Sequence, residues 1–229
     1  MSKKKVVFLT GAGISAESGI STFRDSDGLW ENHNVEDVAS IDGWYRNPDL
    51  VIDFYNERRR QLKNCIPNKA HLIVAEFEKD FDVTVVTQNV DNLHERAGSS
   101  KIIHLHGELT KACNESKTFV TDIGYNDISK GSRAADGSKL RPFIVWFGEA
   151  VPLLETAIHE IEKCNILVII GTSLAVYPAA GLVHYAPKHS EIYLIDPKIP
   201  NVSSSNIFFI EEKATVGMEK LVDIIKKND

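Results

Sequence analysis

A glycine-rich turn near the start of the chain has the spacing of a dinucleotide-binding loop. Gly11-Ala-Gly-Ile-Ser-Ala16 matches G-x-G-x-x-G/A and directly follows an apolar, β-branched run typical of a buried strand. Glycines permit a tight turn, and the missing side chains let backbone N–H groups approach a pyrophosphate at a helix N-terminus. The alternative is a strand-to-helix turn that needs glycine only for its shape, and the strand–helix context favours the nucleotide site.

The residues after this loop argue against a hydride-transfer dehydrogenase. The stretch from Glu17 to Trp30 is too polar for the apolar crossover helix that such enzymes usually carry. We expect a loop that folds over the nucleotide and carries a ring, Phe23, and a cation, Arg24. That arrangement suits chemistry that separates nicotinamide from ribose.

A framework of buried strands is needed to position these residues, and apolar runs in the rest of the sequence predict one. Apolar runs with little alternation indicate a parallel sheet covered on both faces. Strands are predicted at Lys5–Thr10, Val83–Thr87, Phe143–Trp146, Ile166–Ile170, Ile192–Ile195 and Ile207–Ile210, and helices at Pro48–Leu62, Ala70–Lys79, Pro152–Cys164 and Gly217–Lys227. The alternation of strands and helices predicts a doubly wound α/β domain.

Two stretches interrupt this alternation. Residues 28–62 are helical after a loop, and residues 108–140 are polar with no clear periodicity. A polar segment of that length inside a compact domain is uncommon and is often functional. We interpret both stretches as insertions that together build a smaller lobe.

Composition excludes several other classes of protein. The net charge of -6 and the short basic runs disfavour a nucleic-acid partner. The longest apolar runs are too short to span a bilayer, and the first residues lack the features of a signal peptide. The three scattered cysteines, Cys65, Cys113 and Cys164, favour reduced thiols in the cytoplasm over a disulfide framework.

Several motifs along the chain resemble those of the sirtuins, the NAD-dependent protein-lysine deacylases. They occur in the family order, from one end of the chain almost to the other. They are the G-A-G-I-S-x-x-S-G-I-x-x-F-R of Gly11 to Arg24, the T-Q-N-x-D-x-L-H of Thr87 to His94, His106-Gly107-Glu108, the W-F-G-E of Trp146 to Glu149, and Gly171-Thr172-Ser173.

The resemblance implies a single catalytic unit over residues 1–229 with an α/β fold, in which a Rossmann-type parallel sheet has helices on both faces. The large domain would comprise residues 1–27, 63–107 and 141–229. The smaller lobe would combine a helical module, 28–62, with a zinc-ribbon-like module, 108–140. NAD would lie between the lobes and be consumed as a co-substrate.

The resemblance also implies which residues bind NAD. The diphosphate and the neighbouring ribose would be held by backbone amides and short side chains of the first loop, and further groups would follow other strands. The implied set is Gly11, Ala12, Gly13, Ser15, Ala16, Glu17, Phe23, Arg24, Gln88, Asn89, Asp91, His106, Gly171, Thr172, Ser173, Asp196 and Ala214. For Asn89 and Asp91 the alternative is helix capping, which is compatible with binding. Asp196 stands where the family more usually has Asn, and its carboxylate would repel the extra phosphate of NADP.

The catalytic residues implied by the resemblance are His106, Asn89 and Asp91. The acyl oxygen would attack the nicotinamide ribose to give an O-alkylamidate, and His106 would then activate a ribose hydroxyl as general base. The products would be free lysine, nicotinamide and O-acyl-ADP-ribose. His104 would point the other way on a strand, and we interpret it as structural.

Two departures sharpen this interpretation. Many sirtuins hold a structural zinc with four cysteines, but residues 108–140 offer only Cys113 and no histidine, so we expect no zinc. Either packing of Phe119, Ile123, Tyr125 and Ile128 would then have to hold the module together, or the module would be poorly ordered.

The second departure is a Y-x-x-R pair, Tyr55 and Arg58, on one face of a predicted helix. A phenol and a guanidinium can together bind a carboxylate, and the pair resembles the subgroup that removes succinyl and malonyl groups. The alternative is a solvated basic face continued by Arg59 and Arg60.

Acylated lysine side chains of proteins are therefore the expected partners. Phe147 and Gly148 resemble the strip along which the substrate backbone adds as a strand. Two rival functions remain: an ADP-ribosyltransferase on the same scaffold, and a non-catalytic NAD-binding protein. The intact substrate motifs count against the first, and the retention of His106, Asn89 and Asp91 counts against the second.

Overall fold

The computed structural model describes residues 3–21, 29–30, 33–198 and 206–228. Within these residues the strands are β1 Lys5–Thr10, β2 Leu29–Trp30, β3 His33–Asn34, β4 Asp82–Thr87, β5 Ile102–His104, β6 Gly107–Cys113, β7 Val120–Asp122, β8 Arg141–Ile144, β9 Ile166–Ile170, β10 Glu191–Ile195 and β11 Ile207–Ile210. The α-helices are α1 Val35–Val38, α2 Ile41–Arg46, α3 Pro48–Asn64, α4 Lys69–Glu76, α5 Leu93–Ala97, α6 Leu154–Ile161 and α7 Ala214–Asn228.

Six strands form one parallel sheet in the order β11-β10-β9-β1-β4-β5. The α/β fold class predicted from the sequence is confirmed. The chain adds strands on one side of β1 first and on the other side later, so the strand order reverses between β1 and β9. Ligands of open α/β sheets bind at such a switch point, outside the carboxyl ends of the strands.

All six strands of this sheet end on one row. Thr10 lies in register with Thr87 on one side and with Ile170 on the other. The row continues through His104 at one edge and through Ile195 and Ile210 at the other. Residues that follow the strands therefore leave the sheet at the same level.

Apolar clusters cover both faces of the sheet. Alternate residues of β1 divide between them, since Val6 and Phe8 join the cluster that contains α4 and α7, whereas Val7 and Leu9 join the one that contains α6. Burial on both faces explains why the strands are apolar throughout, as the sequence indicated.

The predicted strand Phe143–Trp146 is wrong in both its bounds and its partners. The strand is β8, Arg141–Ile144, and it pairs antiparallel with β6 in a small three-stranded sheet, not with the parallel sheet. The sixth position of the large sheet belongs instead to β5, a three-residue strand that is too short to give a clear apolar pattern.

The two stretches that were predicted to be insertions contact each other directly. Asn56 of α3 donates to the carbonyl of Ile128 at 2.9 Å and accepts from its N–H at 2.9 Å. Ile128 is buried in the same apolar cluster as Val51 and Phe54 of α3. Both backbone groups of one residue from residues 108–140 are thus held by a side chain of the helical module.

Hydrogen bonds from Asn114 join the loops of the small sheet. The two N–H groups of its buried side-chain amide are shared among three acceptors, Asp136 Oδ2 at 2.6 Å and the hydroxyl oxygens of Ser116 and Thr118 at 2.9 Å each. Its oxygen accepts the N–H of Phe119 at 3.0 Å. The neighbouring Cys113 is buried, and burial raises the pKa of its thiol to about 11, so it stays protonated at neutral pH.

The predicted packing of this module is partly correct. Ile123 and Tyr125 pack against the apolar cluster that holds Ile128, but Phe119 is 45% exposed. The hydrogen bonds of Asn114 join the loops that Phe119 was predicted to hold together by apolar packing.

Cys65, Cys113 and Cys164 are buried and form no disulfide. Among the helices described, none combines the length and the apolar character that crossing a bilayer requires.

We predict that Asn114→Ala destabilises the protein, because it removes the hydrogen bonds through which one buried side chain joins the loops of the small sheet. The expected loss in the free energy of unfolding is about 1–3 kcal/mol, measured by urea denaturation. The control is Asn126→Ala at an exposed position of the same module, and EDTA should leave the melting temperature of the wild type unchanged. A melting temperature that falls on chelation would contradict this account of the module.

Candidate functional site

A cavity of about 640 Å³ opens along the carboxyl ends of the central strands and reaches α3. This volume lies in the range of about 300–1,000 Å³ that is typical of small-molecule sites. Most of the predicted cofactor and substrate residues line the cavity, namely Gly11, Ala12, Gly13, Ala16, Glu17, Tyr55, Arg58, Gln88, Asn89, Asp91, His106, Phe147, Gly148, Gly171, Thr172, Ser173, Asp196 and Ala214. Phe23 and Arg24 lie outside the described residues, and Ser15 lies behind the cavity wall.

The glycine loop packs against the turn after β9. The N–H groups of Gly11 and Gly13 donate to the carbonyls of Ile170 and Gly171 at 2.9 and 2.8 Å. A Cβ on Gly13 would lie 2.5 Å from the Cα of Gly171. These glycines thus permit two backbone segments to touch, and their N–H groups are engaged with protein carbonyls instead of pointing to a pyrophosphate.

The loop also lacks the predicted helix N-terminus. It continues as two 3-10 turns, Ala12–Ile14 and Ala16–Ser18, instead of an α-helix. The carboxylate of Glu17 accepts from the N–H and the hydroxyl of Thr215 at 3.0 and 2.8 Å, which ties the loop to the first turn of α7.

A buried network fixes the residues that follow β4. The amide of Asn89 donates to the carbonyl of Gly11 at 3.1 Å and to the hydroxyl of Ser15 at 3.2 Å. Ser15 in turn donates to Asp91 at 3.0 Å. The predicted cofactor residue Ser15 therefore holds the orientation of two cavity-lining side chains.

Asp91 is bonded to the start of α5 and also faces the cavity. Its other carboxylate oxygen accepts the N–H of Leu93, the first residue of α5, at 3.1 Å, and the same side chain lines the cavity. Burial raises the pKa of Asp91, and the bonds from Leu93 and Ser15 lower it in part.

Gln88 bridges two strand ends. Its amide donates to the hydroxyl of Thr172 at 3.1 Å, so the turns after β4 and β9 are joined across the switch point. On the far side, Asp196 accepts the N–H of Lys198 at 2.9 Å. Carboxylate, amide and hydroxyl groups of three strand ends thus meet around one space.

His106 has a defined orientation at the cavity. Its Nδ1 lies 3.0 Å from the carbonyl oxygen of Gln88. Because a carbonyl only accepts, Nδ1 carries the hydrogen, and in the neutral ring Nε2 carries a lone pair. Burial lowers the pKa of His106, and the bond to Gln88 raises it in part. The imidazole is therefore neutral at neutral pH and able to accept a proton.

Tyr55 is buried beside Trp146. The indole Nε1 donates to the phenolic oxygen at 3.0 Å, and the Trp146 ring packs under the guanidinium of Arg141, 3.6 Å from its centre. Burial raises the pKa of Tyr55, so the phenol stays protonated. One turn further along α3, Arg58 lines the same cavity with only 11% of its side chain exposed.

The alternative of a solvated basic helix face is wrong for two of the three arginines. Arg58 faces the cavity, and Arg59 is fully buried, donating to the carbonyl of Leu109 at 2.8 Å. Only Arg60 is exposed, and it pairs with Asp127 at 3.0 Å. Consecutive arginines on a helix point in different directions because each residue turns by roughly a quarter of a circle.

The backbone of Phe147 is already paired. Its N–H donates to Ala39 at 2.9 Å, and its carbonyl accepts from Ile41 at 3.0 Å. A substrate strand would therefore find its pairing groups at Gly148 and beyond, not on Phe147 itself. The Phe147 ring is 47% exposed at the cavity mouth.

Sequence reasoning missed several lining residues. Lys198 and Lys213 line the cavity near Asp196 and Ala214. Both follow a predicted strand by three residues, so a positive charge at a strand end could have identified them. Trp146 was quoted only as part of a motif, although indole N–H groups usually have a partner when buried. Val176 and Pro178 gave no signal.

A family model described as the Sir2 family matches residues 11–178. The chain is similar to a protein of Bacteroides thetaiotaomicron named "NAD-dependent protein deacylase", with 55% identity over 97% of this chain and 98% of that protein. A protein of the same name from Helicobacter pylori is 54% identical over 96% of each chain.

Solved structures of Sir2 proteins are similar in fold over almost the whole chain. A Sir2 homologue in complex with NAD is 37% identical, with a TM-score of 0.88 over 99% of this chain and 91% of that one. A Sir2 protein bound to an acetylated peptide is 27% identical, with a TM-score of 0.81 over 98% of this chain and 94% of that one.

We predict that Gly13→Ala destabilises the fold, because the added carbon must displace the backbone of the turn after β9. Overpacking of this kind costs about 1–3 kcal/mol, measurable by urea denaturation. Gly181→Ala is the matched control, since a Cβ there meets its nearest atom at 3.9 Å. Equal stability of the two variants would show that the loop and the turn are not in contact.

Proposed function

The chain belongs to the Sir2 family, and we propose that this NAD-dependent protein deacylase removes succinyl and malonyl groups, as well as acetyl groups, from protein lysine side chains. The acyl group passes to ADP-ribose, and nicotinamide is released. The observation that carries the acidic-acyl specificity is the presence of Tyr55 and Arg58 in the wall of the cavity that His106 also lines.

The polar and charged groups that line the cavity complement the parts of NAD. Asp91 and Asp196, with the hydroxyls of Thr172 and Ser173, suit ribose hydroxyls, and Lys198 and Lys213 supply positive charge for a diphosphate. Gln88 and Asn89 offer amides that complement the carboxamide of nicotinamide. When bound, NAD supplies the ribose carbon that accepts the acyl oxygen as nicotinamide leaves.

His106 acts as the general base in this proposal. Its Nε2 takes the proton of a ribose hydroxyl, and its Nδ1–H stays on the carbonyl of Gln88, so the ring keeps its orientation as it becomes charged. Burial lowers its pKa, so the base is present above that value and is lost as the pH falls through it. Asn89 and Asp91, held by Ser15, keep the bound ribose and carboxamide in place.

Tyr55 and Arg58 recognise the distal carboxylate of the acyl group. Since burial keeps the phenol of Tyr55 protonated, its O–H donates to a carboxylate oxygen while its own oxygen accepts from Trp146. Arg58 supplies the positive charge, and a guanidinium can bind a carboxylate with two hydrogen bonds. A carboxylate enters this largely buried site only if it is paired there, because desolvating an unpaired charge is costly.

The remaining parts of the proposal concern partners and location. Acyl-lysine segments of proteins bind along Gly148 through main-chain hydrogen bonds, which gives affinity with little dependence on neighbouring side chains. Three buried cysteines without a disulfide are what a cytoplasmic enzyme would carry. No structural zinc is needed, because Asn114 joins the loops of the small sheet.

We predict that His106→Ala lowers kcat for deacylation by about 10²–10⁴-fold, the usual effect of removing a general base. The melting temperature should stay close to that of the wild type, and much of the affinity for NAD should remain. The measurement is single-turnover nicotinamide release and deacylation, with the exposed His189→Ala as control. Near-wild-type turnover in His106→Ala would exclude the base role.

We predict that Arg58→Met and Tyr55→Phe impair desuccinylation selectively. A charge-assisted hydrogen bond contributes about 1.5–3 kcal/mol, so kcat/KM for a succinyl-lysine peptide should fall about tenfold to a hundredfold. An acetyl group has no carboxylate to pair, so deacetylation should persist. The measurement is mass spectrometry of matched peptides that differ only in the acyl group.

Two controls make the comparison specific. Arg60→Met removes an exposed arginine from the same helix, and Tyr45→Phe removes the hydroxyl of a tyrosine that is 71% exposed. Neither should alter the ratio of the two activities. Equal losses on acetyl and succinyl peptides in Arg58→Met and Tyr55→Phe would mean that both residues only shape the cavity.

A further inference from the structure

A second histidine, His104, lies directly behind the site and does not line the cavity. It ends β5, and it is 9% exposed. Its Nδ1 lies 3.2 Å from the carbonyl oxygen of Asn89, and its Nε2 lies 2.6 Å from a carboxylate oxygen of Glu95 on α5. The ring therefore links the cofactor segment to a helix on the outer side of the site.

Both partners of this ring are hydrogen-bond acceptors. A backbone carbonyl only accepts, and so does an ionised carboxylate. A neutral imidazole has a single N–H, so it can satisfy only one of them. The two contacts can both be hydrogen bonds only when both ring nitrogens carry hydrogen, which makes His104 an imidazolium cation.

The charges around His104 favour that cation. The carboxylate of Glu95 contacts the His104 ring, and a carboxylate oxygen of Glu108, on β6, lies within 4.8 Å of both groups. Glu108 is itself paired with Lys111 at 2.7 Å. Asp91, just before α5, and His94, within α5, also interact electrostatically with it. Burial would lower the pKa of His104, but the hydrogen bond and the charge of Glu95, aided by Glu108, raise it overall.

The carbonyl that His104 holds belongs to a catalytic segment. The N–H of Asn89 donates to the hydroxyl of Thr87 at 3.0 Å, so His104 fixes the other peptide group of the same residue. His106 holds the preceding carbonyl, that of Gln88. Two imidazoles from one short stretch therefore hold successive carbonyls of the segment that carries Gln88, Asn89 and Asp91.

We infer that His104, as a cation shared between Glu95 and the Asn89 carbonyl, is a positioning residue for the NAD-binding segment and sets an upper pH limit on its activity. The inference rests on the proposed function, since it assigns a role within the same site. The doubly bonded ring is present below the pKa of His104. As the pH rises through that pKa, one N–H is lost. The charge-assisted bond to Glu95 is the stronger and persists, so the carbonyl of Asn89 is released.

The test compares the wild type with Glu95→Gln, which keeps the size of the side chain and a hydrogen-bond acceptor but removes the negative charge. Loss of an adjacent opposite charge lowers a pKa by about 1–3 units, so the alkaline limb should move to lower pH by that amount. The profile is measured both as kcat/KM for NAD and as NAD affinity by calorimetry. The control is Glu162→Gln, at an exposed glutamate just beyond α6, and it should leave the limb in place.

Two further measurements keep the outcome unambiguous. NMR titration of the His104 ring should give a midpoint above the ordinary histidine value of about 6.5 in the wild type, and a lower one in Glu95→Gln. His104→Leu, which removes both ring N–H groups and is checked for folding by its melting curve, should remove the alkaline limb and bind NAD as weakly at neutral pH as the wild type does at high pH.

The inference is overturned if the His104 titration moves in Glu95→Gln while neither pH profile does, or if His104→Leu keeps the wild-type limb. A failure of the proposed function is a different result. In that case no acyl-lysine peptide would lose its acyl group at any pH, but the titration and the NAD-affinity profile would still report on His104.

Discussion

The register of the parallel sheet is the constraint on which the site depends. Thr10, Thr87, His104, Ile170, Ile195 and Ile210 form one row, because each strand ends level with its neighbours. The glycine loop, the Gln88 segment, the Gly171 turn and Asp196 all begin at that row. A shift of a single strand by one residue would reverse which of its side chains face each apolar layer, so the two cores fix the register and thereby the site.

Buried hydrogen bonds convert this common edge into a defined geometry. Ser15 holds Asn89 and Asp91, Gln88 reaches Thr172 across the switch point, and the carbonyl of Gln88 fixes the tautomer of His106. Groups that are satisfied in this way cost little to bury and resist rotation. The site is therefore organised by the protein itself, as catalysis by positioned groups requires.

The sequence predicted the main framework well where apolar runs were long enough. The bounds of β1, β9 and β11 agree with the predicted strands because each is a continuous apolar run between polar turns. β5 escaped prediction because three residues carry no clear pattern, and β8 was assigned to the wrong sheet because pairing partners are not visible in a local pattern. For the site, the predicted cofactor, catalytic and substrate residues were expected to lie together, and all of those that the structure describes line the cavity except Ser15. The roles of Asn114, Trp146 and His104 depend on tertiary contacts between distant segments, which no spacing along the chain encodes.

The most direct test of the central claim uses the wild-type protein alone. Three peptides of one sequence, carrying acetyl-, succinyl- or malonyl-lysine, are incubated with NAD, with NADP or without cofactor, and the products are identified by mass spectrometry. The account predicts free lysine, nicotinamide and O-acyl-ADP-ribose from NAD only, with the succinyl and malonyl peptides among the substrates. Loss of the acyl group without NAD would contradict it, and so would transfer of ADP-ribose to protein while all three acyl groups stay intact.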